Sequence, residues 1–350
     1  MSTTQTSMRA VLATKLAPTV QEALDHFQVS TVPRPTNPAS YELIIKVEMA
    51  ALNFFDGLIL QGKYQQKFTP PFIPGSEFSG TVIAIGSKVS KFQPGDRVCG
   101  FPSAGKGVLC EYTVAPEQSL WKMPDNMTFE HGASFVCTYG TSYMALMQRA
   151  QIKPSMNVLV TAASGGVGTA CVQIARAVGC KHIIGCVGSA YKQQVAKQCG
   201  CDVVINYKET PEWSKSLKQR KLGVDVFADI VGGESWNQGM KVMNWYGKAI
   251  VIGFAGGQIQ KIKANRVLLK NIDVLGVAWG ATAFRDMKSY RDSVSDALAM
   301  YERGKLDPVI GKVYESDLSG IKQSYLDLMG RKSVGKLLIN VASKNRRARL

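Results

Sequence analysis

The sequence predicts an α/β fold, in which a doubly wound parallel sheet is joined to a second domain built as an antiparallel β-barrel. The prediction rests on changes in the pattern of apolar, polar, Gly and Pro residues along the 350-residue chain. Residues 1–130 have short strands between Gly- and Pro-rich turns and little helix, which is typical of a barrel. Residues 131–304 alternate apolar strands with helices, which is typical of a parallel sheet. The tail returns to strand and turn, so we expect about 305–345 to complete the first domain, with a basic tail at 341–350.

In the first domain, four segments carry the strand pattern. Residues 41–52 alternate apolar and polar side chains in the manner of a half-buried strand. Residues 75–86 form a strand bounded by glycines, and the turn Pro94-Gly95-Asp96-Arg97 leads into another short strand. Residues 336–340 have the composition of a late strand. Short strands punctuated by glycine and proline favour a compact antiparallel barrel.

The second domain begins with a continuous apolar strand at 157–162, followed by a helix that the pattern places at Gly166–Val178. A second strand at 182–187 leads into a second helix at Tyr191–Gln198. Further strands are predicted at 203–205, 224–230, 248–254 and 272–277. This alternation is typical of a doubly wound, Rossmann-type sheet.

The segment Ala162–Gly168, AASGGVG, stands directly after a predicted strand and directly before a helix. A turn in that place brings backbone N–H groups and the positive end of a helix against a pyrophosphate. Only small residues permit that approach, and the spacing A-x-x-G-x-x-G provides them. A glycine-rich turn alone is weak evidence, because many turns between strand and helix carry glycine. The strand–turn–helix context makes this one a predicted dinucleotide-binding site.

The side chains after the second strand favour NADPH over NADH. An NAD site normally carries Asp or Glu about 20 residues after the turn, bonded to the ribose, whereas residues 165–201 contain no acid. Gly188 and Ser189 end the strand instead, and Lys192 follows in the first turn of the next helix. Room, hydrogen-bond donors and positive charge suit a 2′-phosphate, and Tyr207 is placed to add its phenol. The alternative is that the lysine is a solvated surface residue and the tyrosine is structural.

These motifs carry a family resemblance. The turn AASGGVG, with Gln173-Ile174-Ala175-Arg176 behind it, resembles the medium-chain dehydrogenase/reductase superfamily, as do PGSEFSG, PGDRV and the segment around Ala51-Leu52-Asn53. From about residue 8 to 340 the chain is most similar to the quinone oxidoreductases related to zeta-crystallin. The resemblance implies a GroES-like barrel domain, a Rossmann domain and a nicotinamide cofactor. It also implies a homodimer that pairs along the strand Val274–Trp279, since an unprotected edge strand tends to find a partner.

Zinc is not expected at the reacting centre. Zinc alcohol dehydrogenases of this superfamily carry a cysteine ligand and a Gly-His-Glu motif, where this sequence has Asn53 and Gly75-Ser76-Glu77. An amide and an alcohol are poor zinc ligands compared with thiolate and imidazole. The four closely spaced cysteines of the structural zinc are also missing, since only Cys99 and Cys110 lie in that region, and the three histidines are isolated. We therefore predict that neither metal is bound.

The predicted absence of zinc points to particular acceptors. Without a Lewis acid to polarise an alcohol or carbonyl, simple alcohol oxidation becomes difficult. Quinones and conjugated enones accept hydride with delocalisation of negative charge onto oxygen, so modest hydrogen-bond donors suffice. We expect an NADPH-dependent quinone oxidoreductase that transfers hydride or electrons to quinones or related electron-poor carbonyl compounds. One alternative is an enone, 2-alkenal or prostaglandin-type reductase; another, of a different class, is an NADPH-binding protein whose main role is RNA binding.

The resemblance also assigns individual residues. Asn53 lies beside the nicotinamide and orients the ring or the substrate oxygen. Tyr64 lines the substrate cleft as a candidate hydrogen-bond donor, unless it is simply a surface aromatic. Asp56, in the family pattern N-x-x-D, is expected to fix its loop rather than transfer protons. The cofactor contacts carried over by motif position are Asn53, Thr141, Gly165, Gly166, Val167, Gly188, Ser189, Lys192, Tyr207, Phe254 and Arg331.

Composition and charge limit the partners and the location. No apolar run approaches the roughly 20 residues that span a membrane, and eight cysteines without a C-x-x-C pair indicate reduced, buried thiols. The net charge of +16 permits a nucleic-acid partner, but no basic patch is interleaved with aromatics, so a surface that attracts anionic ligands is the better interpretation. The final Ala348-Arg349-Leu350 is similar to the peroxisomal S-K-L address. We expect either a cytoplasmic location or a peroxisome-like organelle such as the glycosome.

Overall fold

The computed structural model describes residues 6–102 and 106–342. The end of the basic tail, with Ala348-Arg349-Leu350, lies outside the described residues, so the targeting expectation stays a prediction. Within the described residues, no helix is both long enough and apolar enough to cross a bilayer.

The regular structure of the described residues is numbered along the chain. The strands are β1 (Ser7–Ala13), β2 (Phe27–Pro33), β3 (Glu42–Ala51), β4 (Glu77–Ile85), β5 (Arg97–Gly100), β6 (Tyr112–Pro116), β7 (Leu120–Lys122), β8 (Asn157–Thr161), β9 (His182–Val187), β10 (Val203–Asn206), β11 (Val224–Asp229), β12 (Met243–Val251), β13 (Asp273–Gly276), β14 (Ile310–Glu315) and β15 (Lys336–Asn340). The α-helices are α1 (Val20–Asp25), α2 (Phe54–Leu60), α3 (Phe129–Ala133), α4 (Val136–Tyr143), α5 (Gly166–Val178), α6 (Ala190–Gln198), α7 (Trp213–Gln219), α8 (Gly233–Met240), α9 (Ala264–Lys270), α10 (Trp279–Thr282), α11 (Met287–Glu302) and α12 (Leu318–Met329). A 3₁₀ turn at Glu117–Ser119 and a π-helical segment at Met144–Arg149 accompany them.

The chain divides into two units, the first formed by Met1–Val136 with Ile310–Leu350. Its main sheet has seven strands in the order β14-β15-β3-β4-β5-β7, and β6 also pairs with β3. The pairs are antiparallel except β14 with β15, while β1 and β2 form a separate antiparallel pair. Alternate side chains of β3 and β4, among them Leu43, Ile45 and Phe78, enter a buried apolar core. This is the GroES-like domain that the sequence predicts.

One expectation for the first unit was wrong, because the tail beyond residue 310 is not only strand and turn. Helix α12 lies between β14 and β15. Its N-cap residue is Asp317, whose carboxylate accepts a hydrogen bond from the N–H of Gly320 at 2.7 Å and so satisfies a free donor of the first turn. Ile321 and Tyr325, four residues apart, face the core of the unit. The polar residues between these two obscure the helical period in the sequence.

The second unit, Cys137–Val309, contains a parallel sheet of six strands in the order β10-β9-β8-β11-β12-β13. The sequence placed the borders of this domain at 131 and 304, a few residues before those of the unit. Helix α5 has the bounds predicted for it, and it ends at Gly179, whose φ of 84° is a left-handed conformation that favours glycine. Because the strands are parallel, their carboxyl ends lie along one edge of the sheet, where ligands bind in such folds.

Candidate active site

The predicted phosphate-binding turn lies between β8 and α5, at the carboxyl edge of the sheet. Gly165 is the N-cap residue of α5, and no side chain caps this end of the helix. Because the first N–H groups of a helix have no partner within it, those that follow Gly165 remain for an anion. A Cβ on Gly168 would stand 2.0 Å from the carbonyl oxygen of Ala162, so glycine alone lets the helix approach the strand so closely. Gly165, Gly166 and Val167 therefore form a turn that fits a pyrophosphate.

Thr141 belongs to α4, which is held against the start of α5. The hydroxyl of Ser142 donates a hydrogen bond of 3.0 Å to the carbonyl oxygen of Val167. Thr141, the residue before Ser142, is buried. The structure thus brings the predicted threonine into the neighbourhood of the predicted turn.

The next strand ends in the residues predicted to meet the 2′-phosphate. Ser189 is the N-cap of α6, and its hydroxyl accepts a hydrogen bond of 3.3 Å from the N–H of Lys192. The N–H of Tyr207 donates to the carbonyl of Val187 at 3.0 Å. The Tyr207 hydroxyl lies 2.6 Å from where a Cβ of Gly188 would stand, so the absence of a side chain there makes room for the phenol. Gly188, Ser189, Lys192 and Tyr207 therefore come together at the end of β9.

The acidic side chains nearest to this position along the sequence, Asp202 and Glu209, already have hydrogen-bond partners. Asp202 accepts from the N–H of Ile183 at 2.8 Å and pairs with Arg176, at the amino end of β9 rather than its carboxyl end. Glu209 accepts a hydrogen bond of 2.7 Å from the Asn206 amide. Glu209 lies at the carboxyl edge, since Asn206 is paired with Val187, but its carboxylate is bonded to the Asn206 amide, and residues 188–192 after β9 carry no carboxylate.

Phe254 follows β12 at the same edge, with its ring partly exposed. Its loop is joined to the loop after β11, since the N–H of Ala255 donates to the carbonyl of Ile230 at 3.0 Å. The fully buried Asp229 ends β11 and accepts hydrogen bonds from the Thr161 hydroxyl at 2.9 Å and from the N–H of Gly232. Sequence reasoning missed Asp229, although an aspartate that ends an apolar strand was visible as a signal.

In the first unit, Asn53 is the N-cap residue of α2 and follows β3. Its backbone N–H donates to the carboxylate of Asp56 at 2.8 Å, which supports the expectation that Asp56 fixes this loop. Asp56 is fully buried, and burial raises its pKa to about 7 despite hydrogen bonds from Asn53 and Ser76 that lower it. At neutral pH a large fraction of this carboxyl is therefore protonated.

The Asn53 side chain enters a buried polar cluster that the sequence did not predict. Its Nδ2 donates to Glu77 Oε2 at 3.1 Å and to Ser76 Oγ at 3.3 Å, while its Oδ1 accepts from Lys336 Nζ at 2.8 Å. Lys336 Nζ also lies 2.9 Å from Glu77 Oε2. Both amide hydrogens of Asn53 are thus engaged, so what remains of its capacity toward a bound ligand is as an acceptor.

Tyr64 lies in the loop after α2, near the start of that helix. Its ring stacks on Phe55 with centroids 5.2 Å apart and planes at 25°, and Phe55 packs against Phe101 at 6.0 Å. Phe55 is two residues from Asn53 in the sequence, so this aromatic cluster places the Tyr64 ring near the end of β3. Its role as a donor stays a prediction.

Arg331 directly follows the C-cap of α12 in the first unit. It has a φ of 56°, and its N–H donates to the carbonyl of Leu328 at 3.0 Å, which ends the helix. Its side chain is exposed. The predicted contact with the cofactor phosphates stays a prediction.

The possible metal ligands of the described residues are their His, Cys, Asp and Glu side chains. Over 6–102 and 106–342, no group of three or more His, Cys, Asp or Glu side chains is arranged to hold an ion. The cysteines are free thiols and, except for the partly exposed Cys199, buried. Burial raises the pKa of Cys171 and Cys201 to about 12 each, so these thiols stay protonated at neutral pH.

Comparison with known proteins covers both units. The family model "Alcohol dehydrogenase GroES-like domain" matches residues 39–125, and "Zinc-binding dehydrogenase" matches residues 166–296. Quinone oxidoreductase-like protein 2 of Rattus norvegicus is 36% identical over 341 residues, which are 95% of this chain and 92% of that protein. Quinone oxidoreductase of Homo sapiens is 30% identical over 305 residues, 86% of this chain and 90% of that protein.

Solved structures give a consistent likeness. A mycobacterial protein complexed with NADPH has a TM-score of 0.81 and 26% identity, with 95% of this chain and 99% of that chain covered. A quinone oxidoreductase of Pseudomonas syringae has a TM-score of 0.81 and 25% identity over the same shares. An NAD-dependent alcohol dehydrogenase has a TM-score of 0.82 and 25% identity, with 95% and 99% covered. The likeness therefore includes proteins described with either cofactor.

Proposed function

Since this chain belongs to the medium-chain dehydrogenase/reductase superfamily, and within it to the zeta-crystallin-like quinone oxidoreductases, we propose that it reduces quinones or related electron-poor carbonyl compounds with NADPH and without zinc. The oxidoreductase class follows from the relatives and the fold. The cofactor and the acceptor are the proposed part.

The observation that carries the choice of NADPH is the group of donors at the end of β9. Ser189, Lys192 and Tyr207 offer hydroxyls and a cation, and Gly188 leaves room for the Tyr207 phenol. A 2′-phosphate carries negative charge and accepts several hydrogen bonds, whereas a free ribose hydroxyl is usually held by a carboxylate. Asp202 is engaged at the other end of the strand, and Glu209, two residues after Tyr207, is bonded to the Asn206 amide. This arrangement favours the phosphorylated cofactor.

The donor set in the first unit supports chemistry without zinc. Asn53 and Ser76 stand where the zinc dehydrogenases carry a thiolate and an imidazole, and amide and hydroxyl oxygens are weak ligands for this ion. The Lys336 ammonium lies 2.8 Å from Asn53 Oδ1, so a cation already stands at the amide oxygen. A divalent ion at that position would be repelled.

The roles of the chain's own residues follow from this arrangement. NADPH, when bound, supplies the hydride. The turn at Gly165–Val167 would hold its pyrophosphate and the donors around Ser189 would hold its 2′-phosphate, while positioning of the acceptor lowers the barrier. Quinones and enones delocalise the negative charge that the hydride brings, so hydrogen bonds of the strength that Tyr64 offers suffice. Water or Tyr64 then donates a proton to the negatively charged product.

The proposal is tested by NADPH oxidation with a panel of quinones and a matched panel of enones and 2-alkenals, each repeated with NADH. We expect kcat/KM to be higher with NADPH and with quinones. Higher kcat/KM for enones would make the protein an enone reductase, and higher kcat/KM with NADH would overturn the cofactor assignment. One zinc ion per chain in metal analysis, retained after dialysis against a chelator, would overturn the zinc-free part.

We also propose a homodimer that pairs through β13. This strand is the edge of the six-stranded sheet in the described residues, and an edge strand offers backbone groups to a second chain. None of the side chains of α9, the helix before it, is fully buried, and Leu268 and Leu269 are 74% and 68% exposed. Adjacent exposed leucines on the helix that precedes an edge strand are typical of an interaction surface.

A further inference from the structure

The ammonium of Lys336 lies where three strands of the first unit meet. Strand β3 is central, with β15 on one side and β4 on the other, and the register pairs Leu338 with Ala51 and Ala51 with Glu77. Lys336 and Glu77, each the first residue of its strand, therefore come together next to Asn53, two residues after the end of β3. Strand register, rather than a flexible loop, sets the position of these side chains.

The ammonium makes a full set of hydrogen bonds. Its three acceptors are the carbonyl oxygen of Leu52 at 2.9 Å, Asn53 Oδ1 at 2.8 Å and Glu77 Oε2 at 2.9 Å. A lysine ammonium has three hydrogens to donate, so these contacts use all of them. Lys336 has no hydrogen left for a substrate, and any effect it has on the reaction passes through its neighbours.

Burial makes the pair of charges interdependent. The side chains of Lys336 and Glu77 are 6% and 0% exposed. Removal of one member of such a pair leaves the other as a buried charge without compensation, which costs far more than the pair contributes. Lys336 is thus the counter-charge that offsets the cost of burying the Glu77 carboxylate.

Lys336 also decides which way the Asn53 amide points. With Oδ1 toward the ammonium, Nδ2 donates to Ser76 and Glu77. If the amide turned over, its NH₂ group would meet the ammonium and its oxygen would meet the carboxylate, so both contacts would become repulsive. The fixed positive charge selects one of two orientations that are sterically alike.

We infer that Lys336 is a positioning residue of the active site, whose fixed positive charge holds the Asn53 amide with its oxygen toward the ammonium. Glu77, which accepts from the amide nitrogen, fixes the other side of the same amide. The inference rests on the proposed function where it concerns a rate, because the family resemblance implies that Asn53 lies beside the nicotinamide. The orientation of the amide itself is independent of the reaction.

Two variants separate positioning from charge compensation. Lys336→Met leaves Glu77 uncompensated, whereas Lys336→Met/Glu77→Gln removes both charges and keeps similar volumes. We expect Tm to fall in the single variant and to recover in the double variant. We expect kcat for the acceptor to be about tenfold to a hundredfold low in both, with the Kd for NADPH unchanged. Recovery of kcat together with Tm in the double variant would show that Lys336 only compensates charge, and would overturn the inference.

A readout without turnover keeps this test distinct from that of the proposed function. The side-chain NH₂ signals of Asn53 in a ¹H–¹⁵N spectrum are assigned by their loss in Asn53→Asp, and their exchange with water is measured. We expect slow exchange in the wild-type protein and faster exchange in Lys336→Met/Glu77→Gln. Equal exchange in the two would overturn the inference, whereas a wild-type protein inactive on both acceptor panels would overturn the proposed function alone.

The matched control is the partly exposed pair of Lys46 and Glu48 on β3, whose charged atoms lie 2.9 Å apart with side chains 36% and 21% exposed. Lys46→Met makes the same chemical change at a position that solvent reaches. Because ion pairs in contact with solvent contribute little, Tm, kcat and the exchange of the Asn53 amide should stay close to their wild-type values. A loss of kcat in Lys46→Met equal to that in Lys336→Met would contradict the proposed role.

Discussion

The carboxylate of Asp56 accepts a hydrogen bond from the backbone N–H of Asn53 at 2.8 Å, within the first turn of α2. Burial opposes the charge that this contact favours, and the pKa of Asp56 rises from 3.8 to about 7. In the unfolded chain the same carboxyl ionises near its ordinary pKa. Between about pH 4 and pH 7 the folded form therefore holds a proton that the unfolded form has released. Within that interval the contribution of Asp56 to the free energy of unfolding falls as the pH rises.

The Asp56→Asn variant tests this linkage, because the amide keeps an acceptor for the Asn53 N–H and does not titrate. We expect the free energy of unfolding of the variant, relative to wild type, to increase from pH 4 to pH 7 and then to level off. The pKa shift sets an upper limit of about 4 kcal/mol on that change. Urea unfolding at several pH values measures it. A constant difference across this range would show that Asp56 titrates normally, and Asp292→Asn, at a partly exposed position on α11 where the carboxylate pairs with Lys288, serves as the control.

Tyr325 provides a test of the interior of the first unit. The residue is fully buried on α12, and among the described residues its hydroxyl has no hydrogen-bond partner. A buried donor without a partner destabilises the folded state. We expect Tyr325→Phe to raise the free energy of unfolding by about 1 kcal/mol. If Tyr325→Phe instead lowers the free energy of unfolding, the hydroxyl has a hydrogen-bond partner in solution.

The control for Tyr325 is Tyr314 on β14. Its hydroxyl donates to the carboxylate of Asp327, a contact that lowers the pKa of that carboxyl. Tyr314→Phe removes the same atom but breaks a hydrogen bond, so it should lower the free energy of unfolding by about 1 kcal/mol. Opposite signs for the two variants would attribute both effects to the hydroxyl group rather than to the general response to phenylalanine.

The features that were predictable from the sequence are those that depend on neighbouring residues. Helix α5 has its predicted bounds because a strand, a glycine turn and a closing glycine lie within about twenty residues of one another. The capping contact between Asn53 and Asp56 is equally local, since the two are three residues apart. Such signals are present in a short window of sequence and need no knowledge of the tertiary fold.

The pair of Lys336 and Glu77 was not predictable in that way, because 259 residues separate the two. The contact arises only when β15 and β4 flank β3 in a particular register, and no local pattern sets that register. The sequence did hold one signal: a lysine that begins the apolar strand KLLIN and a glutamate beside an apolar strand are costly to bury unless they meet. A search for opposite charges in buried strands would have found the pair.

The proposed dimer is tested on α9, the helix that precedes the edge strand β13. Leu268→Asp and Leu269→Asp place charges on side chains that are exposed in one chain and would be buried between two. We expect each variant to sediment with the mass of one chain where the wild type sediments with the mass of two. Tyr41→Asp, at an exposed aromatic of the first unit, is the control and should leave the mass unchanged. A wild-type protein with the mass of one chain at micromolar concentration would refute the proposed dimer.

The cofactor assignment is tested on α6, where Lys192 lies in the first turn and Lys197 in the last. Only Lys192 stands at the carboxyl edge of the sheet, so Lys192→Ala should remove a charge that the 2′-phosphate needs and NADH does not. We expect the Kd for NADPH to rise about tenfold, or about 1.4 kcal/mol, with the Kd for NADH nearly unchanged. Titration of protein fluorescence with each cofactor measures both constants, and the loss for NADPH should shrink at high salt. Lys197→Ala removes an equal charge from the far end of the helix and should leave both constants at their wild-type values, whereas equal losses of NADPH and NADH in Lys192→Ala would contradict the assignment.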